Sequence, residues 1–129
     1  MAVKGERMRA LVVDDSRTIR TILRSYLQKL DFEVFDAADG KLALERLEEV
    51  GPVEVALVDW NMPHMNGFEF VQAVRADKQY EDVQIVMVTT ETEMEQVTKA
   101  LEAGANEYIM KPFSQEVIGD KLSMLGILD

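Results

Sequence analysis

Four places in the sequence hold side chains that could do chemistry together: Asp14-Asp15, Asp59, Thr89 and Lys111. Each stands at the end of a short apolar run, "ALVV" before Asp14, "VALV" before Asp59, "IVMV" before Thr89 and "YIM" before Lys111. Singly, each has an ordinary explanation. Asp14-Asp15 could serve the N-terminus of a helix alongside Ser16, Asp59 could open a turn before Pro63 and Gly67, Thr89 suits a strand, and Lys111 suits a surface. Those explanations leave the coincidence of four strand ends untouched. If the strands are parallel, three carboxylates, a hydroxyl and an ammonium share one basin. Clustered carboxylates repel, which raises at least one pKa unless a cation intervenes. Mg²⁺ fits, because it takes oxygen ligands, keeps several waters and combines one or two carboxylates with phosphate oxygens. Zinc does not: there is no cysteine, and the single histidine, His64, reads as a solvated loop residue. Against such an ion Asp59 is a nucleophile toward phosphorus. Lys111 and the metal would neutralise the non-bridging oxygens, Thr89 would donate a hydrogen bond, and the product is an aspartyl phosphate.

The elements that must position these groups follow from hydrophobic period. "ALVV", "EVFDA" (33–37), "VALV", "IVMV" and "YIM" read as strands, three without polar alternation, the pattern of a parallel sheet covered on both faces. Between them the spacing turns helical. Ile19, Ile22, Leu23, Tyr26, Leu27 and Leu30 mark one helix; Ala43, Leu44 and Leu47 the next; Phe70, Val71 and Val74 a third; Met94, Val97, Ala100 and Leu101 a fourth; Ile118, Leu122 and Leu125 a fifth. Gly51-Pro52 and Gly104 stop the second and fourth helices, and Thr92 with Glu95 forms a capping-box pattern opening the fourth. The eight methionines are expected mostly on core-facing positions. Alternating β and α units in 129 residues predict an open, doubly wound α/β sheet, since an eight-stranded barrel needs about twice the length. In such sheets ligands bind beyond the carboxyl ends of the strands.

Composition narrows the function. The length suits one domain with one core and no staples. A formal net charge of −10 argues against nucleic acid or an anionic membrane as the main partner. Glutamates such as Glu45, Glu48, Glu49 and Glu102 read as a solvated face. The absence of cysteine and of any apolar stretch resembling a signal peptide or span makes a cytoplasmic protein the expectation.

The motifs "VVDDSRT", "LVDWNMPHMNGFEF", "MVTTE" and "YIMKPF", in this order and spacing, resemble the receiver domain of two-component response regulators, most closely its single-domain chemotaxis members of the CheY type. The resemblance spans about residues 9–125 of one receiver domain, 1–129, and the motifs as a set are highly specific. It implies a flavodoxin-like, five-stranded parallel sheet in the order 2-1-3-4-5 with five helices. It implies that Asp59 takes a phosphoryl group from a phosphohistidine of a sensor histidine kinase (CheA-like). Asp15, Asp59 and the backbone carbonyl of Asn61 would ligate Mg²⁺ directly and Asp14 through water. Lys111–Pro112 would be a cis bond. Thr89 and Tyr108 would be the switch pair, repacking the face of the fourth helix, fifth strand and fifth helix toward a downstream protein, with the flagellar switch as a candidate. Asn61 and Glu91 match positions that tune water attack on the acyl phosphate, and their polarity suggests a short-lived signal. Such a chain catalyses only its own phosphorylation and dephosphorylation, works as a monomer, and acts through partners because no output domain follows the fifth helix.

Departures from the pattern matter too. Where similar enteric regulators carry lysines, this chain has Glu93 and Met94, an acidic opening that weakens attraction to an acidic motor peptide, although Lys121 is retained. Thr90 is bulkier than the alanine of some relatives and narrows access for small phosphodonors. Trp60 reads as loop packing and as a fluorescent reporter of the site. Three rival readings were weighed. A phosphatase with an aspartate nucleophile needs a second acid two residues on, where Asn61 stands; a flavin protein would have its phosphate repelled by Asp14-Asp15. A phosphate sink or phosphorylation-independent interaction module is separated only poorly by sequence.

Overall fold

The computed structural model describes residues 7–90 and 93–128, with the side chain of Met94 left aside. In chain order the elements are β1 (Arg9–Val13), α1 (Arg17–Lys29), β2 (Glu33–Ala37), α2 (Gly40–Val50), β3 (Val55–Asp59), α3 (Gly67–Arg75), a 3-10 turn (Lys78–Tyr80), β4 (Gln84–Thr89), α4 (Met94–Ala103), β5 (Glu107–Met110) and α5 (Gln115–Met124). The five strands form one parallel sheet in the order β2-β1-β3-β4-β5, the expected arrangement.

The central strands are uninterrupted apolar runs because both of their faces are covered. Leu11, Val13, Ala56, Val58, Ile85 and Met87 pack with Ala43, Leu47, Phe70, Val71, Val74 and Ala100 on one side. Ala10, Val12, Val55, Leu57, Val86 and Val88 pack with Leu23, Leu27, Ile118 and Leu122 on the other. Successive residues alternate between the α2–α3–α4 layer and the α1–α5 layer, which is what a doubly wound sheet requires. Each fully buried Leu, Ile or Phe in these layers is worth roughly 2 kcal/mol in area removed from water.

Register then positions the strand ends. Val13 pairs with Val58, so Asp14 and Asp59, one residue on, emerge side by side. Asp59 pairs with Val88, which sets Thr89 one step beyond it, and Thr89 pairs with Met110, which sets Lys111 one step further. The Lys111 backbone N–H donates to the Thr89 carbonyl at 2.7 Å, extending the ladder to the lysine itself.

Local signals agree with most of the expected boundaries. Ser16 caps α1, accepting from the Ile19 N–H at 3.2 Å, and Gly51 and Gly104 end α2 and α4 at positive φ, 82° and 122°. At α4 the expectation shifts: Thr92 lies outside the described residues, and the N-cap position is Glu93, which makes no side-chain cap bond of its own. A full capping box does open α3, between Asn66 and Glu69, where the sequence reading marked none. The methionine expectation holds for most of the described methionines, with two exceptions. Met87 is fully buried and Met8, Met62 and Met65 pack partly against the core, but Met110 and Met124 are exposed, 39% and 70%. Leu101, assigned to the core face of α4, is likewise exposed.

Candidate functional site at the strand ends

The basin is built from buried charge. Asp14, Asp59 and Thr89 are 1%, 6% and 1% exposed, while Asp15 stands in solvent at its rim. One carboxylate oxygen from each of Asp14, Asp15 and Asp59 lies within 4.8 Å of the others. The Lys111 ammonium reaches in from β5, 3.2 Å from Asp59 Oδ1 and 3.6 Å from Asp14 Oδ2. The Lys111–Pro112 bond that follows is cis, as the resemblance implies.

Asp14 is fixed from several sides. Its Oδ1 accepts from the Ser16 N–H at 2.8 Å, its own N–H donates to the Ala37 carbonyl at 3.1 Å, and its carbonyl accepts from Arg20 Nη1 at 2.6 Å. Arg20 in turn pairs with Asp36 at the end of β2. Arg20 was not read from sequence as part of the site; its only signal there was a basic residue on the first turns of a helix that follows two acids. Asp14 Oδ2 is buried with no hydrogen-bond partner among the described residues.

Electrostatics follow from burial and crowding. Burial pushes the Asp59 carboxyl up to about 6, Asp14 and Glu93 push the same way, and Lys111 opposes them. Burial likewise raises Asp14, against the Ser16 N–H and Lys111. Burial would lower the Lys111 ammonium, but Asp59 and Asp14 outweigh it and hold the lysine above its ordinary value, charged throughout the neutral range. One ammonium against three carboxylates leaves the basin short of positive charge. An Asp14 oxygen with no hydrogen bond and only a longer ion pair to Lys111, the oxygen-only donors and this deficit fit a hard divalent cation.

The remaining expected residues divide. Thr89 is in place: its hydroxyl lies 3.3 Å from the Thr90 carbonyl and 3.4 Å from Glu93 Oε1. Asn61 is exposed in the loop after β3, its side-chain amide donating to Glu93 Oε2. Tyr108 sits half-buried at the rim of the core on β5, with the Lys121 ammonium 5.2 Å from its ring centre and paired to Glu107 at 3.5 Å. Glu91 lies outside the described residues. Trp60 belongs to the core more than to the loop: it is 7% exposed and packs on Phe68 at a ring separation of 5.9 Å. His64 is exposed, as expected, and adopts a positive φ of 65°.

Glu93 is the residue whose place sequence reasoning missed. Read as part of an acidic outer face, it is half-buried and turns its carboxylate back over the basin, accepting from the Thr90 N–H at 2.9 Å and the Thr90 hydroxyl at 3.0 Å. The Glu93 N–H donates back to the Thr90 carbonyl at 3.0 Å, so the two residues close a reciprocal turn just ahead of α4. The signal was present, but "TETEME" (90–95) offers the same Thr-x-x-Glu spacing again at Thr92-x-x-Glu95.

A five-stranded doubly wound sheet with an acid cluster at β1 and β3, a hydroxyl at β4 and a lysine followed by a cis-proline at β5 is the arrangement of a receiver. The response regulator receiver domain family matches residues 10–123, and the chain belongs to it. Within that family its similarity runs to chemotaxis regulators: it is 44% identical over 119 residues to chemotaxis protein CheY1 of Helicobacter pylori, covering 92% of this chain and 96% of that protein. The structure of chemotaxis response regulator CheY4 of Vibrio cholerae superposes with a TM-score of 0.85 at 39% identity, covering 93% of this chain and 99% of that one. A more distant neighbour, the receiver domain of sensor histidine kinase PA1611 of Pseudomonas aeruginosa, has a TM-score of 0.82 at 26% identity over 92% of this chain and 97% of its own; its structure holds a magnesium ion in the active-site cleft. Among the described residues no helix is long and apolar enough to cross a membrane.

Proposed function

We propose that this chain is a cytoplasmic, single-unit phosphoacceptor of chemotaxis signalling, phosphorylated on Asp59 by a histidine kinase. The observation that carries the reading is the Asp59 carboxylate at the end of a buried strand, held between Lys111 and the Asp14–Asp15 pair. Asp14, Asp15, Asp59 and the Asn61 carbonyl would hold Mg²⁺, in keeping with the ion bound by the Pseudomonas receiver. When bound, the ion neutralises carboxylate and phosphoryl charge and aligns the donor for in-line attack.

The chain's own residues do the rest. An Asp59 oxygen attacks phosphorus as the bond to the kinase imidazole nitrogen breaks, and the imidazole keeps the electron pair. Lys111, charged at neutral pH, turns from its carboxylate contacts toward a phosphoryl oxygen, and the Thr89 hydroxyl donates to another. Drawing that hydroxyl away from Thr90 and Glu93 changes the end of β4, which lies beside Tyr108 through the pairing of Met87 with Tyr108. The Tyr108 ring then repacks, and α4, β5 and α5 present a different face to a protein target, for which the flagellar switch is the candidate. Asn61 and Glu91 govern hydrolysis of the acyl phosphate, the only other reaction the chain promotes.

The deciding experiment incubates the chain and its Asp59→Asn variant with Mg²⁺ and acetyl phosphate and follows intact mass. One added phosphoryl group on the parent alone is expected. An unmodified parent, with a kinase phosphodomain also failing as donor, would refute the reading.

A further inference from the structure

Glu93 is more than a loop closure. Donors from two strand ends converge on its one carboxylate: the Thr90 N–H and hydroxyl, the Thr89 hydroxyl at 3.4 Å, and the Asn61 amide from across the basin. Its negative charge is felt at Asp59, where it adds to the rise of the acceptor's carboxyl. A phosphoryl group on Asp59 would bring oxygens with the same appetite for donors to the same place, and two anions cannot share them.

We propose that Glu93 is a specificity-determining residue of the acceptor site, a resident anion that occupies the donors a phosphoryl group would use and disfavours free, highly charged phosphodonors. The proposal rests on Asp59 being the acceptor. A kinase phosphodomain brings protein–protein contacts that outweigh the repulsion, whereas a small dianion brings none. With acetyl phosphate, an Asp59 oxygen bonds to phosphorus, the bond from phosphorus to the acetyl oxygen breaks, and acetate leaves with the electron pair. With phosphoramidate, whose nitrogen is already protonated at neutral pH, an Asp59 oxygen bonds to phosphorus, the phosphorus–nitrogen bond breaks, and ammonia leaves with the electron pair. Acetyl phosphate is a dianion at neutral pH and phosphoramidate a monoanion, so Glu93 weighs more heavily on the first. The same carboxylate withholds the switch hydroxyl of Thr89, so its displacement is part of what phosphorylation must accomplish at the start of α4.

Phosphorylation rates of the parent, Glu93→Gln and Asp59→Asn with each donor at fixed Mg²⁺ test this, with amide exchange at Thr90 in the parent and Glu93→Ala as a check on the contact. Glu93→Gln keeps the side chain's size and removes its charge. It is expected to speed reaction with acetyl phosphate on the order of three- to tenfold, and reaction with phosphoramidate less, so that the ratio of the two rates rises. Added salt should shrink that difference, and the Thr90 amide should exchange faster in Glu93→Ala. A parent modified on Asp59 whose rate ratio is unchanged in Glu93→Gln, whether both rates stay put or move together, overturns the proposal alone. A parent modified by neither donor overturns the acceptor reading and this proposal with it.

Discussion

The Lys111 ammonium bridges Asp59 and Asp14, 3.2 Å from one carboxylate and 3.6 Å from the other, and is the only cation that pairs with either among the described residues. Replacing it with methionine keeps the stem and removes the charge. Lys111→Met should slow phosphorylation of Asp59 on the order of a hundredfold, the usual cost of losing one group aimed at developing charge. It should also move the Asp59 titration, followed by carboxyl carbon NMR, above its parent midpoint near 6, since Lys111 is what opposes that rise.

Asp59 carries a stability cost in the metal-free chain. Its folded pKa, about 6, is above the ordinary 3.8, so the folded state binds this proton more tightly than the unfolded state does. The group's contribution is therefore fully favourable below about pH 3.8 and is lost as pH rises through about 6. In chelator at pH 8, Asp59→Asn should be more stable than the parent by up to about 3 kcal/mol. The gap should close toward pH 4 in urea unfolding, and added Mg²⁺ should narrow it by stabilising the parent.

Gly67 leaves no room for a side chain. A Cβ there would lie 2.4 Å from the Asp59 carbonyl oxygen, 2.9 Å from Met87 Cε and 3.1 Å from Trp60 Cα, and two of these are backbone. Gly67→Ala must therefore push the acceptor strand's end away from the first turn of α3. A loss of about 2 kcal/mol in urea unfolding is expected, together with a drop in phosphorylation rate larger than the same loss placed elsewhere in α3 would give. A Gly67→Ala chain that matched the parent in both would show that the close approach is not required.

In the proposed function Tyr108 belongs to the output and not to acceptance. Its ring borders the core and lies under Lys121, far enough from Lys111 and Asp59 to share no hydrogen bond with them. Tyr108→Ala should take up phosphate within about twofold of the parent rate while losing the phosphorylation-dependent amide shifts along α4, β5 and α5. Loss of phosphorylation itself would place Tyr108 in the acceptor chemistry instead.

What could be read from sequence, and what could not, has a physical cause in each case. The strand ends were legible because β1, β3 and β4 are buried on both faces and so spell unbroken apolar runs that stop at Asp14, Asp59 and Thr89. Parallel pairing then made the basin a matter of arithmetic. Met110 on β5 and Met124 on α5 are the exposed exceptions among the described methionines, because an unbranched thioether tolerates water and core alike and its spacing carries little information. Glu93 is ambiguous in sequence because "TETEME" (90–95) holds two overlapping Thr-x-x-Glu spacings, and a long acidic side chain three residues beyond Thr90 can turn back as easily as outward. The Asn66–Glu69 box is spelled in the sequence as Asn-x-x-Glu, but the Pro63 and Gly67 turn signals around it mask it.

The sheet closes on one side with β5, a strand of four residues bonded only to β4 and carrying both Tyr108 and the approach to Lys111. Among the described residues its outer row of amides has no ladder partner, and an edge strand of this kind opens locally at lower cost than central strands such as β1 and β3. In the proposed function this edge strand is the unit that would read out the state of Asp59. Under that reading a modest ligand energy would rearrange the edge while the central strands stay folded, a rigid anvil for chemistry beside a pliable edge for recognition.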